Sequence, residues 1–384
     1  MGVRKTLSSC STRLLALPIL LLSACGPSDV PADTVRSEQQ DFRVVSLAKG
    51  LDHPWSVAFL PDGSMLITER AGRLRLYRNG TLAPQPIAGV PRVVASGQGG
   101  LFEVLPHPRF AENRWLYLSY AARQEGGVHT RVTRYRFDAG RHALVEPRRI
   151  FEARPTASGQ RHFGGRMLFD RAGYLYITVG ERGDMARAQK LSDHSGSVIR
   201  LTEDGGVPPD NPFVGRDGAL PEIYSYGHRN PQGMSLHPET GAVWIHEHGA
   251  RGGDEINIVR AGRNYGWPEI THGIDYDGSK IGVGREAPGM EQPLHFWTPS
   301  IAPSGMAFYR GDRFPRWNRS LFVGALAGEM LVRVELDGGR VVGEERMLED
   351  KLGRIRDVRT GPDGYLYLTT DEDDGQFLRL EPTG

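Results

Sequence analysis

The chain of 384 residues has little cysteine, almost no net charge and no amphipathic pattern of convincing helical length. Both cysteines lie within the first 25 residues, so the rest of the chain cannot form a disulfide. A formal net charge of +1 gives neither a basic field for nucleic acid nor an acidic tail, and we expect no nucleic-acid partner. Glycine and proline are abundant instead, with 49 and 26 residues spread along the sequence. This distribution favours many short strands and tight turns.

The N-terminus has the pattern of an export signal. Basic residues precede an apolar run from Leu14 to Leu22, which is too short to remain as a membrane-spanning helix. The run ends in Leu-Ser-Ala-Cys, which resembles a bacterial lipobox with Cys25 as the lipidated first residue; a plain signal peptide with a chance cysteine is the alternative. Gly26 stands where an inner-membrane retention signal would be Asp, so we expect a periplasm-facing lipoprotein of the outer membrane, held by its lipid anchor only.

The domain organisation follows from this signal. We expect a lipoprotein signal peptide over residues 1–24 and a flexible tether over residues 25–40, which are polar and contain Pro, Ser and Asp. Residues 41–384 are expected to form one folded domain.

A hairpin pattern recurs six times in this domain. Each copy is a short apolar strand, a turn with Pro, Asp, Asn or Gly, and a second strand rich in aliphatic and aromatic residues. The copies span residues 57–70, 104–120, 167–181, 234–249, 306–326 and 358–372. Their spacing is that of one four-stranded sheet per copy, which predicts an all-β fold, a six-bladed β-propeller of antiparallel sheets. Two β-sandwich domains are the alternative.

Four segments that flank these hairpins combine glycine with ionic or amide side chains. They read SGQGGLFEV, RHFGGRM, SYGHRNPQGM and HEHGARGGDEINIVRAGRNYGWPEI. Taken singly, each favours a tight turn, because glycine permits positive φ. Taken together, at equivalent points of successive blades, they predict one site at the mouth of the central channel.

The motifs GQGGL, HFGG, YGHRNPQG, GGDEIN and NYGWP resemble, in this order, the soluble aldose and glucose dehydrogenases that use pyrroloquinoline quinone (PQQ). The match covers nearly the whole domain and is closer to the bacterial aldose sugar dehydrogenase branch. The resemblance implies a six-bladed propeller, PQQ and Ca²⁺ as cofactors, and an aldose sugar as substrate.

The resemblance assigns catalytic roles to two residues. His162 matches the general base that takes a proton from the anomeric hydroxyl, and a histidine that only caps a turn is the alternative. Gly164 and Gly165 beside it are expected to let the ligand approach the backbone. Arg229 matches an arginine beside the quinone oxygens, where its charge would stabilise the incoming negative charge.

Four residues match the cofactor-binding positions of the family. Gln98 would line the pocket, and Asn230 would hold PQQ through its amide. Arg354 and Arg356 match a pair that grips the PQQ carboxylates, and alternation along a strand would direct both into the pocket. A solvated strand face is the alternative for this pair.

The resemblance also implies calcium. The main-chain oxygens of Gly249 and Ala250 fall where the family coordinates the ion next to PQQ. Glu255 and Tyr265 fall on a further calcium site, Tyr265 through its carbonyl, since calcium prefers hard oxygen ligands. Asp254 is expected to support these ligands, and a solvated acidic turn is the alternative for the segment.

Three positions depart from the glucose enzyme or align uncertainly. Arg161 stands where that enzyme carries Asp, and Ala327 lies near the position of a lysine that contacts PQQ. Trp297 lies near a tryptophan that packs against the cofactor, with a core aromatic as the alternative. These departures affect the sugar preference and the tightness of PQQ binding.

The predicted activity is therefore oxidation of aldoses at C1 to lactones, by His-assisted hydride transfer to PQQ and onward transfer to an unidentified electron acceptor. A calcium-dependent propeller hydrolase or lactonase and an inactive sugar-binding propeller are the alternatives. The paired arginines favour the first, because a neutral lactone has no carboxylate to bind. The oligomeric state stays open, with a homodimer as the common state of the family.

Overall fold

The six predicted hairpins form the first two strands of six antiparallel sheets in the computed structural model, which describes residues 1–2 and 34–383. The first strands of neighbouring sheets contact one another around a ring, so the sheets are the blades of a six-bladed propeller. The predicted all-β fold is confirmed. Within the described ranges the helices are one turn or little more, namely α1 Phe110–Asn113 and the 3-10 helices Met185–Gln189 and Pro315–Trp317. None of them is long and apolar enough to cross a membrane.

In each blade the first strand lies nearest the axis, and the following strands lie successively farther out. Blade 1 consists of β3 Pro54–Phe59, β4 Met65–Glu69, β5 Arg73–Arg78 and β6 Thr81–Leu82. Blade 2 consists of β7 Leu101–Pro106, β8 Trp115–Gln124, β9 Gly127–Asp138 and β10 Ala143–Glu152. Blade 3 consists of β11 Met167–Phe169, β12 Leu175–Val179, β13 Ser197–Leu201 and β14 Ile223–Tyr226. Blade 4 consists of β15 Pro231–Leu236, β16 Val243–Glu247, β17 Asp254–Ile258 and β18 His295–Trp297.

The last two blades complete the ring. Blade 5 consists of β19 Pro303–Phe308, β20 Ser320–Ala325, β21 Leu331–Asp337 and β22 Arg340–Met347. Blade 6 consists of β23 Ile355–Thr360, β24 Leu366–Thr370, β25 Gly375–Pro382 and, from the N-terminal side of the domain, β2 Phe42–Leu51 with the short β1 Thr34–Val35. Because β2 pairs with β25 in antiparallel register, the two ends of the domain close the ring within one sheet.

The folded domain begins earlier than the sequence predicts. Thr34 and Val35 pair with β2, which gives blade 6 a fifth strand. The backbone N–H of Glu38 donates to Glu345 at 2.6 Å, and the Glu38 carboxylate lies 3.2 Å from Arg333. Residues 34–40 are therefore part of the domain and not of the tether. Cys25 and residues 3–24 of the predicted signal lie outside the described residues.

The core lies between the blades. Each pair of neighbouring blades shares its own apolar cluster, to which alternate residues of the facing strands contribute. Between blades 1 and 2, for example, Leu74 and Leu118 are both fully buried. A fully buried leucine contributes about 1.5–3 kcal/mol, so each interface stabilises the ring. The loops at one end of this rigid ring carry the site.

Candidate active site

A cavity of about 240 Å³ lies where the first strands and the loops between the blades converge. Four of the predicted cofactor residues, Gln98, Asn230, Arg354 and Arg356, line it together. The other lining residues are Trp55, Arg70, Phe102, Phe163, Gly164, Gln232, His248, Ala302, Leu326 and Asp371. The structure thus brings residues of all four predicted segments and the paired arginines to one place.

His162 is anchored directly beside this wall. Its Nδ1 lies 2.8 Å from Glu181 Oε1, and both side chains are almost completely buried. Burial raises the pKa of Glu181, but the hydrogen bond and charge of His162 outweigh this effect, so its pKa lies below 4.5. Because an ionised carboxylate only accepts hydrogen bonds, Nδ1 donates and Nε2 keeps its lone pair. The dyad therefore presents a basic nitrogen.

The pKa of His162 is lowered below its ordinary value of 6.5. Burial is the main cause, and the positive charges of Arg229 and Arg161 add to it, while the Glu181 carboxylate opposes both. A lowered pKa keeps the imidazole neutral at neutral pH, which is the form that a general base requires.

The loop around His162 is shaped by protein packing. His162 has a φ of 55°, and its backbone N–H donates to Gln98 Oε1 at 2.8 Å. A Cβ on Gly164 would lie 2.5 Å from the Thr178 carbonyl oxygen, and one on Gly165 would lie 2.7 Å from the Phe102 ring. Contacts within the protein therefore already require both glycines, and Gly164 also lines the cavity, where a ligand can approach its backbone.

The two predicted amide residues also position this loop. The side-chain oxygen of Gln98 accepts a hydrogen bond from the backbone N–H of His162. Asn230 Oδ1 accepts from the backbone N–H of Gly164 at 3.2 Å and from Gln232 Nε2 at 3.3 Å. Both amides thus line the cavity and hydrogen-bond to the loop that carries His162.

The two predicted arginines face the cavity with different partners. Arg356 is buried and donates to Asp371, while its Nε, which is also buried, has no hydrogen-bond partner among the described residues. Arg354 is 41% exposed, donates to the Leu326 carbonyl at 3.2 Å, and lies 3.8 Å from Asp371. Burial raises the pKa of Asp371, but the charge and hydrogen bond of Arg356 outweigh burial. The pKa is therefore lowered, and the carboxyl group is ionised. A single carboxylate therefore faces both guanidinium groups.

Arg229 lines a second, much smaller cavity of about 10 Å³ next to the first. Its guanidinium carbon lies 5.2 Å from the Trp267 ring centroid and its Nη1 lies 3.5 Å from the His248 carbonyl oxygen. Its Nε is buried and has no hydrogen-bond partner within residues 1–2 and 34–383. His248 lines both cavities, so the two compartments adjoin.

The smaller cavity also contains three of the predicted calcium ligands, Gly249, Glu255 and Tyr265. Burial and the neighbouring Glu247 carboxylate raise the pKa of Glu255 to about 8. Two buried carboxylates that face each other destabilise their charged forms unless a cation lies between them. The Tyr265 hydroxyl donates a hydrogen bond to the Ile258 carbonyl at 2.5 Å. The main-chain carbonyl of Tyr265 therefore remains the expected calcium ligand.

Two further predictions concern the segment between these ligands. Asp254 accepts from the backbone N–H of Gly249 at 2.8 Å and from that of Ile301 at 2.7 Å, which fits the predicted supporting role. Ala250 is not on the wall of the small cavity and packs instead in an apolar cluster with Ala188 and Trp267.

The sequence of this chain is similar to known proteins over most of its length. The family model described as glucose/sorbosone dehydrogenase matches residues 51–379. The chain belongs to the glucose/sorbosone dehydrogenase family. It is 48% identical over 336 residues to the aldose sugar dehydrogenase YliI of Escherichia coli K12, and the match covers 86% of this chain and 91% of that protein.

Solved structures of dehydrogenases are similar as well. A crystal structure of a glucose dehydrogenase matches with a TM-score of 0.86 and 54% identity, over 88% of this chain and 98% of the other. The PQQ-bound form of an aldose sugar dehydrogenase from Streptomyces coelicolor matches with a TM-score of 0.74 and 30% identity, over 89% and 98%. The predicted family is confirmed, and the chain is an oxidoreductase that acts on sugars.

Sequence reasoning missed the acidic residues of this dehydrogenase site. Glu69, Glu181, Glu247 and Asp371 all lie at the end of the second strand of a blade or within two residues of it. Each holds a cationic or imidazole partner, in the same order Arg73, His162, His228 and Arg356. The signal was present in the repeats as ITER, TVGE, WIHE and TTDE.

The three departures lie in different places. Ala327 is exposed next to Leu326 on the cavity wall, and no lysine lines the cavity within the described part of the chain. Trp297 lies on β18, the outermost strand of blade 4, and donates to Glu344 at 2.8 Å. The cofactor-packing interpretation of Trp297 is therefore wrong, and the tryptophans of the site are Trp55 and Trp267. Arg161 is exposed and directly precedes His162.

Proposed function

We propose that the protein oxidises aldose sugars at C1 to lactones with PQQ and Ca²⁺ as cofactors. The observation that carries this proposal is the His162–Glu181 dyad, held beside a cavity lined by amides and guanidinium groups. The names of the relatives support the substrate class, since YliI is an aldose sugar dehydrogenase. The PQQ-bound Streptomyces coelicolor structure supports the cofactor.

The cavity residues fit PQQ, which is planar and carries three carboxylates. Arg354 is half-exposed on the wall, and the buried Nε of Arg356 has no partner in the part of the chain that the structure describes, so both can bind carboxylate oxygens. Arg70 lines the same wall and forms no ion pair with any described residue. Bound there, PQQ would supply the two-electron oxidant. The three guanidinium groups of the wall therefore complement the negative charge of the three PQQ carboxylates.

The small cavity fits a calcium ion by its donor chemistry. Glu247 and Glu255 place two carboxylates on its wall, and Gly249 and Tyr265 add main chain. A divalent cation would remove the repulsion that raises the pKa of Glu255. Because Arg229 and His248 also line this cavity, an ion held here would be coupled to the residues that face the substrate.

The chain's own part in the reaction is to move a proton. His162 Nε2 accepts the proton of the C1 hydroxyl while the hydride leaves C1, and Glu181 stabilises the imidazolium that forms. The buried guanidinium of Arg229 provides a fixed positive charge close to His162. The aldose loses two hydrogens in total and becomes the lactone. The electron acceptor that removes the two electrons afterwards is a separate molecule.

We also propose that Cys25 is lipidated and anchors the protein in the cell envelope, facing the periplasm. Support for this comes from the lipobox-like sequence and from a folded domain that begins at Thr34 and contains no cysteine. A homodimer stays an expectation from the family.

Reconstitution tests the catalytic proposal. Apoprotein is mixed with PQQ and Ca²⁺, and the reduction of an artificial dye is followed with a panel of aldoses. We expect dye reduction that requires the sugar, PQQ and Ca²⁺, with the lactone as product. Lactone hydrolysis without dye reduction would instead support the hydrolase alternative, and sugar binding without any turnover would support an inactive propeller.

A further inference from the structure

The rim beside the catalytic base carries an exposed cation. Arg161 directly precedes His162 and forms no ion pair with any described residue. Its loop is held against the cavity wall, because the backbone N–H of Gln98 donates to the Gln160 carbonyl at 2.8 Å. The Arg161 Nε lies 2.7 Å from the position that a Cβ on Gly183 would occupy. The guanidinium therefore lies over the turn that follows Glu181.

A second guanidinium lies below the first. Arg182 is 4% exposed, and its guanidinium carbon lies 3.4 Å from the ring centroid of Phe163, which lines the cavity. It donates to the carbonyl oxygens of Arg161 and Gly159, and it has no ion pair with a described carboxylate. Arg182 thus fixes the loop of Arg161 and adds a second positive charge on this side of the mouth.

Neither Arg161 nor Arg182 forms an ion pair with a carboxylate of the described residues. Glu181 is next to Arg182 in the chain and interacts with its charge, but it is buried and already accepts from His162 Nδ1 and from the backbone N–H of Gly183. The exposed Arg161 guanidinium therefore has no anionic partner among the described residues. An anionic substituent on the sugar would be attracted to it, whereas a neutral sugar would not.

We propose that Arg161 makes the enzyme prefer aldoses that carry an acidic group, a sugar carboxylate or a sugar phosphate, over neutral aldoses. This proposal rests on the proposed function. The reaction at C1 is the same: the hydroxyl proton passes to His162, the hydride passes to the bound oxidant, and the acidic group is unchanged. A pair of opposite charges at an exposed rim changes kcat/KM by about three- to tenfold at low ionic strength, and salt screens the effect.

The test compares kcat/KM for glucuronate and for glucose 6-phosphate, each relative to glucose, in the reconstituted holoenzyme at low salt. We expect the wild type to prefer at least one anionic sugar, and Arg161→Gln to lower that ratio by about three- to tenfold. Arg161→Lys keeps the charge and should keep most of the preference. Arg141→Gln removes an exposed arginine from the turn between β9 and β10 and serves as the matched control. The two substrates distinguish a carboxylate from a phosphate.

A binding measurement separates this proposal from the proposed function. Calorimetric titration of PQQ-free protein with glucuronate or glucose 6-phosphate should show salt-sensitive binding that weakens in Arg161→Gln. If no aldose is oxidised but this binding is seen, the catalytic proposal fails and the charge recognition stands. If glucose is oxidised while Arg161→Gln leaves the substrate ratios and the binding as in the wild type, the preference for acidic aldoses is wrong.

Discussion

His162 Nδ1 and Glu181 Oε1 lie 2.8 Å apart, although the two residues are separated by a hairpin of blade 3. The register of β11 and β12 brings the loop before the first strand next to the end of the second strand. Glu181, a residue of the same blade, therefore fixes the tautomer and the orientation of the His162 ring. This relationship yields the first two predictions.

Replacing Glu181 with Gln should slow the oxidation of sugar by about ten- to a hundredfold, because the neutral amide no longer fixes Nε2 as the basic nitrogen or stabilises the imidazolium. The loss should appear in the single-turnover rate constant, with PQQ affinity little changed. Glu203→Gln is the matched control, since Glu203 holds His107 at the same distance of 2.8 Å outside the cavity. Equal rates in the two variants would remove Glu181 from the mechanism.

Replacing His162 with Gln should leave PQQ binding in place and slow cofactor reduction by about 10² to 10⁴, the contribution of a general base. The reason is that the cofactor is held by the arginines and amides of the cavity wall, whereas only the imidazole accepts the proton. PQQ absorption is titrated first, and reduction by glucose is then followed in single turnover. Reduction at nearly the wild-type rate would make His162 a turn residue.

The fold could be predicted from the sequence because its repeating unit is local. The two strands of each hairpin are joined by a short turn, so their alternation and turn residues are visible in one stretch of sequence. The closing strand β2 was missed, since its partner β25 lies at the other end of the domain and no local pattern records that pairing. Residues 34–40 are predicted as a tether because their partners are β2 itself and, far along the chain, Glu345 and Arg333.

The site was only partly accessible to sequence reasoning. The roles of His162 and the arginines came from the resemblance, and the structure places Gln98, Asn230, Arg354 and Arg356 on one cavity. The acidic partners were missed because a single carboxylate at a strand end usually indicates a solvated turn. Their meaning appears only when the blades are superposed as equivalents, so that Glu181 and Asp371 occupy the same position.

The rate of cofactor reduction should depend on pH through His162. Burial first, and then the charges of Arg229 and Arg161, hold its pKa below 6.5. The imidazole is therefore neutral at pH 7, and the rate should be constant there and fall only as the pH drops through this lowered pKa. The same group contributes stability that is present above 6.5 and is lost on acidification. Single-turnover rates from pH 4.5 to 9 locate the midpoint, and a value above 6.5 would contradict the assignment.

Replacing Cys25 with Ser should release the protein from the membrane fraction or block its processing, because the lipid is attached through this thiol. Detergent-phase partitioning and the mobility of the mature protein are measured in the native host. The remaining domain has no cysteine, so the variant affects no other thiol. If the Ser variant partitions into detergent with unchanged mobility, Cys25 is not the anchor.

Removing calcium should lower the melting temperature and PQQ affinity together. A cation that binds only the folded state stabilises it by mass action, and the ion between Glu247 and Glu255 would also order the loop that carries Gly249 and His248. Melting curves and PQQ titrations are recorded before and after exhaustive chelation, with the residual metal measured by elemental analysis. Glu255→Gln should reproduce part of both losses and weaken the recovery on calcium addition. Glu286→Gln, which changes an exposed carboxylate in the loop between β17 and β18, should not. A metal-free protein with unchanged melting temperature and PQQ affinity would show that the two buried carboxylates serve a purpose other than holding calcium.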